Sequence, residues 1–267
     1  MSRDETLLAV RSLAKAFAGV RAVDDVSFTV NRGEIVGLIG PNGSGKSTTI
    51  DCITRFTLAD RGSVLLDGAD LSSASPEDVA RAGLVRTFQN VRVYDRLTLI
   101  ENALIARQSY DRVGWWQSFL GGGAARRAEL RAAERARELI ELVGLGAVAT
   151  FPASFLSYGQ KKLLALAMAL MSDPKVIILD EPLAGVNPTV IRRVAGLIDQ
   201  LNRQGQTFVI VEHNVQFIMD HCHKVVVMEQ GAKIAEGPPA IIREDERVLD
   251  AYLGKADAIA MELAFHG

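Results

Sequence analysis

Eight consecutive residues, Gly40-Pro41-Asn42-Gly43-Ser44-Gly45-Lys46-Ser47, restrict what this chain can fold into more than any other feature. They fill the pattern G-x-x-x-x-G-K-[ST]. The apolar run Glu34–Ile39 precedes them, and a helix-forming stretch, Ser47–Phe56, follows. Triphosphate oxygens need many donors at close range. Glycines let a backbone curl until its amides point inward, and a helix N-terminus adds positive potential. The pattern predicts Lys46 on the β- and γ-phosphates and the Ser47 hydroxyl on Mg2+. The bland alternative is a glycine-rich turn with no ligand, and the strand before and helix after argue against it.

A second signal is Val176-Ile177-Ile178-Leu179-Asp180-Glu181, an apolar strand that delivers two carboxylates at its C-terminal end. Ligands of open α/β sheets sit at that end of the strands. Asp180 is expected to hold Mg2+ through its water shell, and Glu181, facing the other way, to polarise an attacking water. Alone, such a pair reads equally well as a helix-capping turn. The phosphate loop tips the balance toward chemistry.

The rest of the chain supplies an α/β frame. Thr6–Val10 and Ser27–Val30 read as strands, and Val64–Leu66 followed by Asp67-Gly68 reads as a hairpin. From Thr98 the period turns helical, opening with the capping box Thr98-Leu99-Ile100-Glu101. Arg126–Val143 is a charged helix with Leu130, Ala133, Ile140 and Val143 expected on one stripe. Past Pro174 the runs Val176–Leu179 and Thr207–Val211 read as buried parallel strands. Helices near Pro188–Arg203 and Asn214–Cys222 separate them from a strand at Val225–Glu229. A helical block between the first core strand and the later ones predicts a two-lobed α/β domain.

Bulk properties exclude several classes. With 30 basic and 32 acidic residues, net charge −2, the chain gives no electrostatic reason to expect a nucleic-acid partner. Cys52 and Cys222 have no metal-type spacing and read as reduced cytosolic thiols. The opening MSRDETLLAV lacks a signal-peptide core, and no run of ~18 apolar residues occurs. A soluble chain is expected, with any membrane role exerted through a partner.

A third motif carries a family likeness. Leu156-Ser157-Tyr158-Gly159-Gln160, ahead of a helix at Lys161–Ser172, resembles the LSGGQ signature of ABC ATPases. The likeness covers nearly the whole chain. Gln89, in Arg86-Thr87-Phe88-Gln89-Asn90, looks like the family's Q-loop glutamine. His213 looks like its switch histidine, and Ala184-Gly185-Val186-Asn187 sits where the family has its D-loop. Phe17 sits where an aromatic residue stacks on adenine.

The resemblance implies a P-loop NTPase core with an N-terminal antiparallel β subdomain and an inserted α-helical subdomain. Residues 1–88 and 173–254 would form the core with its β subdomain, 89–172 the helical subdomain and 255–267 a tail. It implies ATP and Mg2+ as cofactors. ATP contacts would come from Phe17, Val23, Gly40 to Thr48, and Ser157, Tyr158, Gly159 and Gln160 of a facing subunit. Ser47, Gln89 and Asp180 would serve the metal, and Glu181, His213, Gln89 and Lys46 the hydrolysis. Tyr158 in place of the first signature glycine requires its ring to point away from the nucleotide. Asn187 in place of an aspartate changes the cross-dimer bonding expected at the D-loop.

Within the family the chain looks most like the ATPase subunits of branched-chain amino acid uptake systems. The pointers are the variant signature, Gly185-Val186-Asn187-Pro188, Arg86–Gln89 and the ending Val248–Gly254. Relatives that handle urea, short amides or aromatic acids share the architecture, and non-transport ABC ATPases remain an alternative. The implied partners are a second ATPase subunit, different from this one in such systems, two transmembrane permeases and, indirectly, a substrate-binding protein. The implied location is the cytoplasmic face of the membrane. Trp115–Leu120 reads as packing against the helical lobe or as a contact with permeases or headgroups, and Ala256–Phe265 as a short helix or frayed tail.

Overall fold

A computed structural model describes residues 6–87, 93–108 and 123–253. Gln89, Trp115–Leu120 and Ala256–Phe265 lie outside the described residues. The chain divides into two compact units. One comprises Met1–Arg86, Lys175–Leu183 and Ile198–Gly267, and the other Thr87–Pro174 and Ala184–Leu197.

Two sheets build the first unit. The larger contains β3 (Ile35–Ile39), β6 (Leu84–Thr87), β7 (Val176–Asp180), β8 (Thr207–Val211), β9 (Lys224–Glu229) and β10 (Ala232–Gly237). Its spatial order is β10-β9-β3-β8-β7-β6. Strand β3 runs parallel to both neighbours, with Val36 opposite Val209 on β8 and Lys224 on β9. Strand β7 is parallel to β8, with Ile178 opposite Val209. Every residue of β3, β7 and β8 is buried, which explains why these segments read as unbroken apolar runs.

The smaller sheet is antiparallel, in the order β2-β1-β4-β5, from β1 (Thr6–Phe17), β2 (Val20–Asn31), β4 (Arg61–Leu66) and β5 (Ala69–Asp70). The β4–β5 turn is Asp67-Gly68, both at positive φ (53 and 79), the type I′ geometry that matches strand twist. Strands β1 and β2 run well beyond the expected Thr6–Val10 and Ser27–Val30. Bulges explain the difference. The register shifts between Val10 and Leu13, where Ser12 sits at φ 46, so the apolar alternation is broken while the pairing continues.

One hydrophobic cluster joins the sheets. Val36, Leu38, Ile178, Val209, Val211 and Met228 of the larger sheet share it with Leu8, Val10, Val26 and Phe28 of the smaller. Ile50, Cys52 and Ile53 of helix α1 (Lys46–Ile53) belong to the same cluster. Each such side chain contributes roughly 1.5–3 kcal/mol when fully buried. The phosphate-loop helix is thereby anchored to the core through its own inner face.

The second unit is helical: α3 (Leu99–Gln108), α4 (Gly123–Leu142), α5 (Tyr158–Leu170) and the opening of α6 (Pro188–Arg203). The helix α2 (Pro76–Arg81) belongs to the first unit. Helix α3 starts on the expected capping box: Thr98 N donates to Glu101 Oε2 at 2.8 Å and Glu101 N to Thr98 Oγ1 at 3.2 Å. Asn102, fully buried, donates to the carbonyls of Tyr94, Leu97 and Thr98 and accepts from Tyr94 N, fastening the preceding loop to the helix. The stripe expected on α4 is corrected. Leu130 is 57% exposed, and the buried set is Ala132, Ala136, Leu139, Ile140 and Val143. Residues 126–131 are exposed and burial begins at Ala132, so the inner face is set by the neighbours of residues 132–142 and of Val143 just beyond the helix.

Candidate functional site

Lys46 opens helix α1, and the loop before it is shaped by glycine. Gly45 has φ +97, and a Cβ there would stand 2.2 Å from the Ala22 carbonyl oxygen. A Cβ on Gly40 would stand 2.1 Å from the Met228 oxygen. Neither position accepts a side chain without backbone movement. The turn between β9 and β10 braces the loop, since Gly231 N donates to Ser44 O at 3.0 Å. Lys46 Nζ donates to Gly40 O at 2.7 Å, to Pro41 O at 3.1 Å and to Ser44 Oγ at 3.4 Å. Burial pulls its ammonium below the usual value, and the charge of Glu181 opposes that shift. Ser47 is exposed and Thr48 half-buried beside it.

The ends of two further strands bring in carboxylates and a histidine. β8 lies between β3 and β7, so the three C-terminal ends are neighbours. Asp180 ends β7, 8% exposed. Glu181 follows at φ 48, a left-handed conformation uncommon outside glycine, and its N–H donates to Val211 O at 2.9 Å. Its Oε1 lies 2.9 Å from His213 Nε2. Backbone strain of this kind concentrates at functional positions.

Two residues outside the sequence-derived set complete this group. Glu212, 4% exposed, accepts from Leu183 N at 2.7 Å and from His213 N at 3.1 Å, and burial raises its carboxyl above the ordinary value. Arg86 donates through Nη1 to Asp51 Oδ1 at 2.5 Å and through Nη2 to Asp180 Oδ2 at 2.7 Å. The signal for Glu212 was an acid at the end of a buried strand, next to His213.

Phe17 is 49% exposed, with Lys15 Nζ 5.2 Å from its ring centroid. Val23 is buried in the core cluster at 1% exposure.

In the second unit Ser157 caps helix α5. Gln160 N donates to its hydroxyl at 3.3 Å, and Ser157 N donates to Gln160 Oε1 at 2.9 Å. Both signature side chains therefore serve a capping box that leaves a helix N-terminus at the surface. Tyr158 has Lys162 Nζ 5.4 Å from its ring centroid, and a Cβ on Gly185 would meet that ring at 3.3 Å. Gly159 permits close approach to α6, since a Cβ there would come within 2.8 Å of Val190 Cγ2. Asn187 Oδ1 accepts from Val190 N at 3.0 Å and so caps α6.

The model of the family described as ABC transporter matches residues 23–184. This chain belongs to the ABC transporter family. A second model, of the branched-chain amino acid ATP-binding cassette transporter, matches residues 232–258 of this ABC ATPase. The chain is 38% identical to the high-affinity branched-chain amino acid transport ATP-binding protein LivG of Salmonella typhimurium, over 94% of this chain and 99% of that one. It is 37% identical to the corresponding BraF of Pseudomonas aeruginosa, over 94% and 98%. A crystal structure of the ADP conformation of an ATP-binding cassette of an ABC transporter superposes with TM-score 0.79 at 32% identity, covering 94% of this chain and 99% of that one. The fold is that of an ABC ATPase cassette, and the activity is ATP hydrolysis. Among the described residues no helix is long and apolar enough to cross a membrane.

Proposed function

We propose that this ABC ATPase powers branched-chain amino acid uptake, working at the cytoplasmic face of the membrane beneath two permease subunits. The cargo reading is supported by the names of relatives that match along nearly the full length of both chains. The chemistry rests on one observation above all. Lys46, Glu181 and His213 follow the C-terminal ends of three adjacent parallel strands, and Glu181 and His213 are hydrogen-bonded.

In this reading the loop amides and Lys46 bind the β- and γ-phosphates. Glu181 orients the attacking water and takes its proton, and His213 holds Glu181 and contacts the γ-phosphate. Phe17 offers an aromatic face to adenine. Ser157, Gly159 and Gln160 present the α5 N-terminus to the nucleotide of a facing subunit. The donor set suits Mg2+. Among the described residues no group of three or more His, Cys, Asp or Glu side chains is placed to hold a metal ion by itself. A hydroxyl from Ser47 and a carboxylate from Asp180 match the habit of Mg2+, which keeps several waters and takes one or two protein ligands plus phosphate oxygens. Bound there, it would neutralise charge developing on the phosphates. Gln89 would sense it and connect to the permeases. The natural partner is a related but distinct ATPase subunit, as in the systems this chain resembles.

The deciding experiment is Glu181→Gln. The amide keeps the size and loses the base. ATP affinity should stay within a few-fold while phosphate release falls by roughly 10²-fold or more. Near-normal hydrolysis by this variant would falsify the assignment.

A further inference from the structure

We infer that Arg86 is a positioning residue of the metal half of the nucleotide site, a clamp that sets Asp180 relative to the helix carrying Ser47. The inference rests on the proposed role of Ser47 and Asp180 toward Mg2+. Asp180 terminates a wholly buried strand, and a carboxylate there is costly unless paired. Arg86 Nη2 pairs with it at 2.7 Å, and both side chains are 9% exposed. The other arm of the same guanidinium, Nη1, reaches Asp51 Oδ1 at 2.5 Å.

Asp51 is placed meaningfully. It lies four residues beyond Ser47 on α1, so the two share one face of that helix, a turn apart. One planar group therefore ties three elements: β6, which carries Arg86; β7, which ends in Asp180; and α1, which carries Ser47 near its start. A guanidinium presents donors in a fixed fork, so it fixes the spacing between two carboxylates. A lysine ammonium, a point charge on a flexible stem, does not. Near-burial of Arg86 and Asp180 shields that pair from screening by salt, while Asp51, 35% exposed, holds the outer arm. Lys46 makes none of these contacts, so phosphate binding and metal positioning are built on separate side chains.

The test separates nucleotide binding from its metal-dependent part. A fluorescent trinitrophenyl-ATP is titrated into the purified chain with EDTA and then with Mg2+, and the ratio of the two affinities is the metal gain. Arg86→Met should reduce that gain by about tenfold or more while leaving the EDTA affinity within about twofold. Arg86→Lys should recover little of it. Asp51→Asn, which leaves Arg86 and Asp180 in place, should give a smaller loss and covers the case in which Arg86→Met fails to fold. Equal weakening of both affinities means Arg86 only supports the fold, and an increased gain means it acts as a competing cation; either overturns the inference. Ser47→Ala shows which reading failed. If it loses the gain while the Arg86 and Asp51 variants keep it, only the clamp falls. If the wild-type chain gains nothing from Mg2+, the metal reading falls and the clamp with it.

Discussion

Glu212 accepts backbone N–H bonds from Leu183 and His213 while almost wholly out of solvent, and so connects the turn after Glu181 to the residue that holds Glu181. Glu212→Ala would leave those amides without their acceptor, at about 1–3 kcal/mol for a buried unmet donor. The expected result is a lower midpoint in urea and a lower kcat, with KM for ATP little changed because the Lys46 loop is untouched. Wild-type kcat with reduced stability would confine Glu212 to folding. The thiols behave differently. Burial pushes Cys52 up to about 11 and raises Cys222 as well. At pH 8 roughly one Cys52 in a thousand is thiolate, so a disulfide reagent at that pH should titrate neither cysteine in the folded chain and both in guanidinium. Rapid native reaction at pH 8 would contradict the burial. At this scale legibility follows locality. Lys46, Asp180 and Glu181 were readable because each belongs to a contiguous motif. Arg86 was not read as a functional residue, because its partner Asp180 lies 94 positions away and no local pattern encodes that pairing.

Elements read well wherever burial is two-sided or an end carries its own cap. β3, β7 and β8 are legible as apolar runs, and α3 opens on the capping box read at Thr98 and Glu101. Ser157–Gln160 reads as a family signature ahead of a helix at Lys161, whereas in the structure it caps α5, which already starts at Tyr158. What failed was one-sided or interrupted. The bulge at Ser12 breaks alternation in β1, and residues 126–131 of α4 are exposed, so Leu130 belongs to no stripe. Asn102 marks another limit, since a lone asparagine in a helix gives no hint that it carries four hydrogen bonds to the loop before it. Asn102→Ala should therefore cost about 2–4 kcal/mol, more than an ordinary surface change, because several buried backbone groups lose partners together. Hydrogen exchange should speed up over residues 94–105 while β3, β7 and β8 stay protected. Uniform destabilisation, or none, would contradict the role of Asn102 as a local fastener.

For the whole molecule, composition and motif order were enough to indicate an α/β ATPase, since the phosphate loop, signature, carboxylates and histidine come in the family's sequence. The assembly is harder to read, because it depends on surfaces that meet another chain. Each complete site in this family takes the phosphate loop from one subunit and the signature from the other, so two ATPase chains are needed for efficient turnover. This chain carries a full motif set, so a homodimer is chemically possible. Two departures favour an unlike partner. Tyr158 adds a ring, exposed to 45%, where the signature usually has glycine, and Asn187 spends its side-chain oxygen on capping α6. Two copies would bring two such rings into one interface, whereas a partner with glycine at that position would bring one. The expected working motor is accordingly a heterodimer with a related ATPase. Native mass spectrometry of the whole transporter, purified from its own membrane, decides the matter. One copy of this chain beside one of a second ATPase is the expected composition, and two copies with no second ATPase would rule it out.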